Sequence, residues 1–165
     1  MRALDTREVK ELLNKCWMTH DAMWFYHCLQ ECGIEKANKI NRAAMRAMAT
    51  IEIRRIKNAL GVTQIENFEV LRSMIECALD LVTADFMGFM CSFHSEGFIH
   101  WEMPRCFAYN GMKKIGVIGQ YQCGVLDRFE GWLDSLGIKY SVTPQVAGCM
   151  MHTEGRCFRD YRFYF

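Results

Sequence analysis

The sequence predicts an α+β fold: three N-terminal helices, then a small antiparallel sheet with one long helix packed on it. Apolar residues recur at three- and four-residue spacing from Asp5 to about Phe86, the period of a helix with one buried face. After Gly88 the period drops to two, and residues 120–136 return to helical spacing between Gly119 and Gly137.

Each element has its own signal. Asp5-Thr6-Arg7-Glu8 reads as a capping box that opens helix one, and Gly33 closes it, because glycine accepts the left-handed conformation that ends helices. Ala37, Ile40, Ala44, Met48 and Ile51 carry helix two from Ile34 to Leu60, with a break expected near Thr50 and a stop at Gly61. Thr63 and Glu66 read as the next capping box, with Phe68, Leu71, Ile75, Leu79 and Val82 extending helix three to about Phe86. Phe89, Cys91 and Phe93 then alternate with small or polar residues, His94 to Gly97 read as a turn, and Phe98 to Met103 as the return strand. Residues 105–118 fit no single pattern. Gln120 to Leu136 reads as the long helix with Val125, Phe129, Trp132 and Leu136 inward, and Ile138 to Val142 and Cys157 to Phe165 as closing strands, with Thr153 to Arg156 as the turn between them.

Composition narrows the class. A chain of 165 residues, 51% hydrophobic and 24% charged, matches ordinary globular usage, and at this size folding buries roughly 68–70% of the unfolded surface. Without an internal repeat or a Pro- or Ser-rich linker, residues 1–165 read as a single domain, 1–87 its helical part and 88–165 its α+β part. The net charge of +1 supplies no field to draw nucleic acid or an anionic membrane. Early charges at Arg2, Asp5, Arg7, Glu8 and Lys10 argue against a secretory signal, and Glu76, Asp80 and Asp85 interrupt the most apolar stretch, which falls short of the ~20 apolar residues of a membrane helix. A cytoplasmic protein is expected. Nine cysteines, an odd number, point to thiols or metal ligands in a reducing compartment and not to a disulfide framework.

Two constellations can carry chemistry. At 100° per residue, Leu13, Trp17, His20, Asp21, Trp24, His27 and Cys28 share about a third of helix one's circumference, the side expected to face the core. Buried imidazoles beside a carboxylate form an acid–base or ligand site, and indoles wall a flat ligand; the plainer alternative is a satisfied histidine among core tryptophans. The second constellation is Cys106, Cys123, Cys149 and Cys157. Its spacing lacks any CxxC knuckle, so spacing alone does not show metal binding. Cys149 and Cys157 flank what reads as a hairpin turn that also carries His152, while Cys123 opens the long helix, one turn before Asp127. A zinc or iron site, or a Cys123 nucleophile, would use these facts; small buried core thiols are the alternative. The basic residues of helix two, among them Lys36, Arg42, Arg46 and Arg54, are dispersed and read as a solvated face and not as a phosphate contact.

The run from Cys106 through Tyr121-Gln122-Cys123, Asp127, Gly148-Cys149 and Gly155-Arg156-Cys157-Phe158 resembles the L-2-amino-thiazoline-4-carboxylic acid hydrolase-like family. The ending also resembles the 4-vinyl reductase small-molecule-binding domain. Cys16 to Asp21 through Trp24, followed by Gly33 to Asn38, looks like a group of uncharacterised cytosolic proteins of bacteria and archaea, a likeness that spans nearly the whole chain. The hydrolase-like resemblance implies a shared ligand or thiol site at Cys106, Cys123, Asp127, Cys149 and Cys157.

The resulting expectation is a small-molecule-binding protein, with metal- or thiol-dependent hydrolysis of a C–N bond as its most concrete form. Cys123, His20, Asp21 and Asp127 would be catalytic; Trp17, Trp24 and His27 would hold the ligand; and Cys106, Cys123, Cys149 and Cys157 would bind zinc or iron. The alternatives are a non-enzymatic binding module with a structural zinc or thiol cluster, and a thiol redox sensor. A homo-oligomer is compatible with either.

Overall fold

The computed structural model describes residues 2–94 and 97–165. Helix α1 (Thr6–Ala59) opens at the predicted capping box: Glu8 donates its amide to Asp5 Oδ1 at 2.8 Å, and Asp5 donates its own to Glu8 Oε2 at 3.0 Å. Gly33, at φ 76° and ψ 170°, breaks α1 into two rods, which correspond to the two helices expected from sequence. No break occurs at Thr50, whose hydroxyl donates to Arg46 O inside the continuous second rod.

Helix α2 (Phe68–Val82) starts later than expected, because Asn67 and not Thr63 is the cap: its side chain accepts the Val70 amide at 3.1 Å. A single 3-10 turn (Asp85–Met87) leads into strands β1 (Met90–His94) and β2 (Phe98–Glu102), the predicted hairpin; Ser95 and Glu96 of its turn lie outside the described residues. The ambiguous stretch resolves as α3 (Phe107–Lys114).

The long helix is shorter than predicted: α4 spans Val125–Ser135. Buried Asn38 of α1 explains the difference. Its Nδ2 donates to Gln120 O at 2.8 Å and its Oδ1 accepts from Gln122 N at 3.1 Å, which commits the 120–122 backbone to a partner other than a helix. Strand β3 (Lys139–Thr143), helix α5 (Met150–Glu154) and strand β4 (Phe158–Tyr164) follow. The segment between Cys149 and Cys157 is thus mostly a short helix, carrying His152, and not the expected hairpin turn.

The four strands pair antiparallel in the order β1-β2-β4-β3. Alternation sends Phe93, Ile99, Tyr161 and Val142 across one row of the inner face, which packs against Leu71 and Ile75 of α2 and Phe129 and Leu133 of α4 in one buried cluster. No helix among the described residues is long and apolar enough to cross a membrane.

Small residues set the approach of α4 to the second rod of α1. A Cβ added at Gly131 would meet the Cβ of fully buried Ala49 at 2.9 Å, and one added at Gly124 would meet Asn41 Nδ2 at 2.8 Å. Gly131→Ala should therefore destabilise the fold by about 1–2 kcal/mol, the overpacking offset only in part by alanine's better helix propensity. Gly111→Ala on α3, where an added Cβ meets nothing within 4 Å, should stabilise by about 0.5–1 kcal/mol. Urea denaturation of both variants checks the pair.

Candidate functional site

The first rod of α1 does not present the face expected from its histidines and tryptophans. Leu13 and Trp24 are 63% and 60% exposed, and His20 and His27 are also exposed. The rod turns inward along Asn14, Met18, Asp21, Phe25 and Cys28 instead, a helical stripe in which only Asp21 and Cys28 belong to the expected face. Phe25 anchors it, its ring edge-on to Tyr121 with centroids 5.7 Å apart. Trp17 is half-buried and covers the Arg128 guanidinium, 4.7 Å from its ring centre. The exposed ring of Trp24 and the exposed imidazole of His27 wall no enclosed site. His20 Nδ1 stands 3.7 Å from Asp21 Oδ1 at the surface.

Asp127 is buried at 3% exposure between two arginines of α1: Arg42 Nε donates to its Oδ2 at 2.6 Å and Arg46 Nε to its Oδ1 at 2.8 Å. Arg46 reaches on to Glu130 and Asp134. With both oxygens engaged, this carboxylate is a clamp between α1 and α4. Burying a charge demands such partners, and both oxygens of Asp127 are taken by them.

The four predicted cysteines each stand just before an element: Cys106 caps α3, Cys123 precedes Gly124 at the cap of α4, Cys149 precedes α5, and Cys157 precedes β4. Cys106, Cys123 and Cys157 each feel other members of the set, Cys149 included, so the four share one region of the molecule. Among the described residues, however, no three His, Cys, Asp or Glu side chains are close enough to hold a metal ion. Soft thiolates suit zinc or iron, but as placed the thiols do not form a finished coordination shell.

Burial raises the pKa of three of these thiols, Cys106, Cys123 and Cys157. Cys123 is pushed up to about 12 and Cys157 to about 11, first by desolvation and then by neighbouring thiols. Cys106 is also raised by desolvation, which hydrogen bonds from the Tyr109 and Ala108 amides partly oppose. The helix-start position of Cys123 does favour a thiolate, through the Val125 amide, but desolvation outweighs it.

Sequence reasoning missed a cavity. About 180 Å³ of space lies where both rods of α1, the end of α2, β2, α3 and α4 meet. Its walls are almost wholly apolar: Phe25, Phe89, Trp101, Phe129 and Trp132 supply rings, while Met18, Met45, Met87, Met103 and Met112 supply thioethers. Asp21, Asn41, Thr83, Tyr121 and Arg128 are the polar contributors. Five of the twelve methionines gather here. Methionine richness was the available signal, although methionines also fill ordinary cores.

The arrangement defines an α+β protein with an apolar cavity under its longest helix. Residues 4–126, about three-quarters of the chain, match a family of unknown function (DUF6125), and the chain belongs to that family. The matched span contains α1, α2, α3 and the hairpin but ends as α4 begins. No curated protein and no solved structure matches, and the family match lends no support to the likeness to the hydrolase-like family or the 4-vinyl reductase domain.

Iodoacetamide at pH 7 should label exposed Cys16 and Cys77 while sparing Cys106, Cys123, Cys149 and Cys157 until the protein unfolds, since the thiolate is the reactive form; fast labelling of Cys123 in the folded protein, read by peptide mass spectrometry, would contradict this. Unfolding returns the raised thiols Cys106, Cys123 and Cys157 to ordinary values of about 8.5, so above that pH the unfolded chain holds fewer protons than the folded one. Stability should accordingly fall as pH rises from about 9 toward 12.

Proposed function

We propose that this protein binds a small apolar molecule in the cavity beneath α1, without performing chemistry on it. The observation that carries the reading is the cavity itself: about 180 Å³ lined by aromatic rings and thioethers. An engineered apolar cavity of roughly 150 Å³ stays dry and takes up benzene, so this space suits a single substituted ring. Methionine walls adapt to an irregular guest, and ligand sites are characteristically apolar with a few polar groups that orient the guest. Hydrolysis would call for a thiolate or an acid–base pair at the guest; burial keeps the Cys123 thiol protonated, His20 faces solvent, and Asp127 is locked between arginines. Nine free cysteines are in keeping with a reducing, cytoplasmic setting.

Toluene should bind the intact protein and shift the fluorescence of Trp101 and Trp132, both in the cavity wall. Ala108→Leu, which extends a wall residue into the space, should weaken that binding at least tenfold; equal toluene affinity in the two proteins rejects this site.

A second reading is supported by the gathering of four thiols at the starts of four elements: Cys106, Cys123, Cys149 and Cys157 hold a zinc or iron ion that ties α3, α4, α5 and β4 together. Metal binding releases thiol protons even where burial opposes ionisation. Elemental analysis of protein purified without added metal should then find one metal per chain, with loss of thermal stability on chelation; metal-free protein of unchanged stability rejects the assignment.

A further inference from the structure

Resting on the binding reading above, a closer look at Arg128 narrows the chemistry of the guest. Arg128 is, among the described residues, the one arginine in the cavity wall. Its Nε and Nη2 donate to Glu52 Oε2 and Oε1 at 2.9 and 2.6 Å, and the two side chains are only 13% and 14% exposed. Trp132 Nε1 donates to the same Glu52 Oε2 at 2.9 Å. The guanidinium carbon lies 4.7 Å from the ring centre of Trp17 and 5.8 Å from that of Trp132. One edge of the fork is therefore spent on Glu52 and its plane is held by indoles, while among the described residues no protein acceptor takes Nη1. Asn41, also in the wall, likewise has no acceptor for its Nδ2 among the described residues.

Among the polar groups of the wall, Arg128 Nη1 and Asn41 Nδ2 are thus donors that no protein acceptor among the described residues takes, and hydrogen bonds from a charged donor are the stronger ones. A bound molecule that supplies an oxygen gives them an acceptor. The charge count then selects among oxygens. Glu52 already neutralises Arg128, and Asp21 adds a half-exposed carboxylate to the wall, so an anionic guest would meet added negative charge, and a cationic guest would meet the guanidinium. We propose that the natural ligand is a neutral, ring-sized apolar molecule carrying one oxygen acceptor, a ketone, aldehyde or ether, and that Arg128 Nη1 donates to it. Arg128 is on this account the specificity-determining residue and Glu52 the group that holds it.

Isothermal titration of the full chain with four probes of one size tests this: toluene, acetophenone, benzoate and benzylammonium. Acetophenone should bind about tenfold tighter than toluene, the scale of a hydrogen bond from a charged donor, and both charged probes should bind more weakly than acetophenone. In the paired variant Arg128→Met with Glu52→Gln, which removes both charges and leaves an acceptor for Trp132, the ratio of acetophenone to toluene affinity should fall to about one; circular dichroism confirms that this variant is folded. Should it not fold, the four-probe ranking on the natural chain decides alone. Equal binding of toluene and acetophenone to the natural chain, tighter binding of benzoate, or a preference that survives in the folded variant overturns this inference and leaves the apolar site standing. Failure of all four probes to bind overturns the binding reading with it.

Discussion

The close approach of α4 to the second rod of α1 is the constraint on which the rest of the structure depends. It is possible because glycine and alanine face each other at Gly131 and Ala49, and it is fixed by ions that would be costly without each other. Asp127, buried between Arg42 and Arg46, and Arg128, paired with Glu52, lie side by side on α4 and both reach α1. Removing one member of such a set strands a buried charge, which costs far more than the pair gains over a well-packed apolar contact. These ion pairs therefore specify where α4 sits more than they add to net stability.

From that contact the cavity follows. With α4 held against the second rod, the break at Gly33 lets the first rod run in its own direction, and its Met18 and Phe25 come to wall the same space as Met45 of the second rod. The sheet closes the space from below with Trp101, and α3 from the side with Met112. The walls belong to elements far apart in sequence, so each part is an ordinary apolar residue on its own helix or strand, and only the assembly leaves room between them.

That is also why the sequence revealed the framework better than the site. Local chemistry writes the capping box at Asp5 and Glu8, the stop at Gly33 and the period-two hairpin directly into neighbouring residues, and these were legible. The start of α4 was not, because it depends on Asn38, more than eighty positions away, holding the backbone at Gln120 and Gln122. The face of the first rod was misjudged for a related reason: chemically suggestive residues such as His20, Trp24 and His27 were grouped, whereas the buried stripe is set by what α3 and Tyr121 offer, and Phe25 answers that. Asp127 reads from sequence as a catalytic acid beside Cys123, and its arginine partners on α1 lie 81 and 85 positions away, beyond any local pattern. The cavity left only a surplus of methionine as its trace, and Arg128 and Glu52 left none, since pairing across two helices has no local pattern.

Xenon tests the central claim most directly, because it enters dry apolar cavities of this size and needs no polar partner. Crystals pressurised with xenon should show an atom bounded by Met45, Phe89, Trp101 and Met112. Ordered water filling that space, or walls collapsed upon one another with no xenon, would contradict the account.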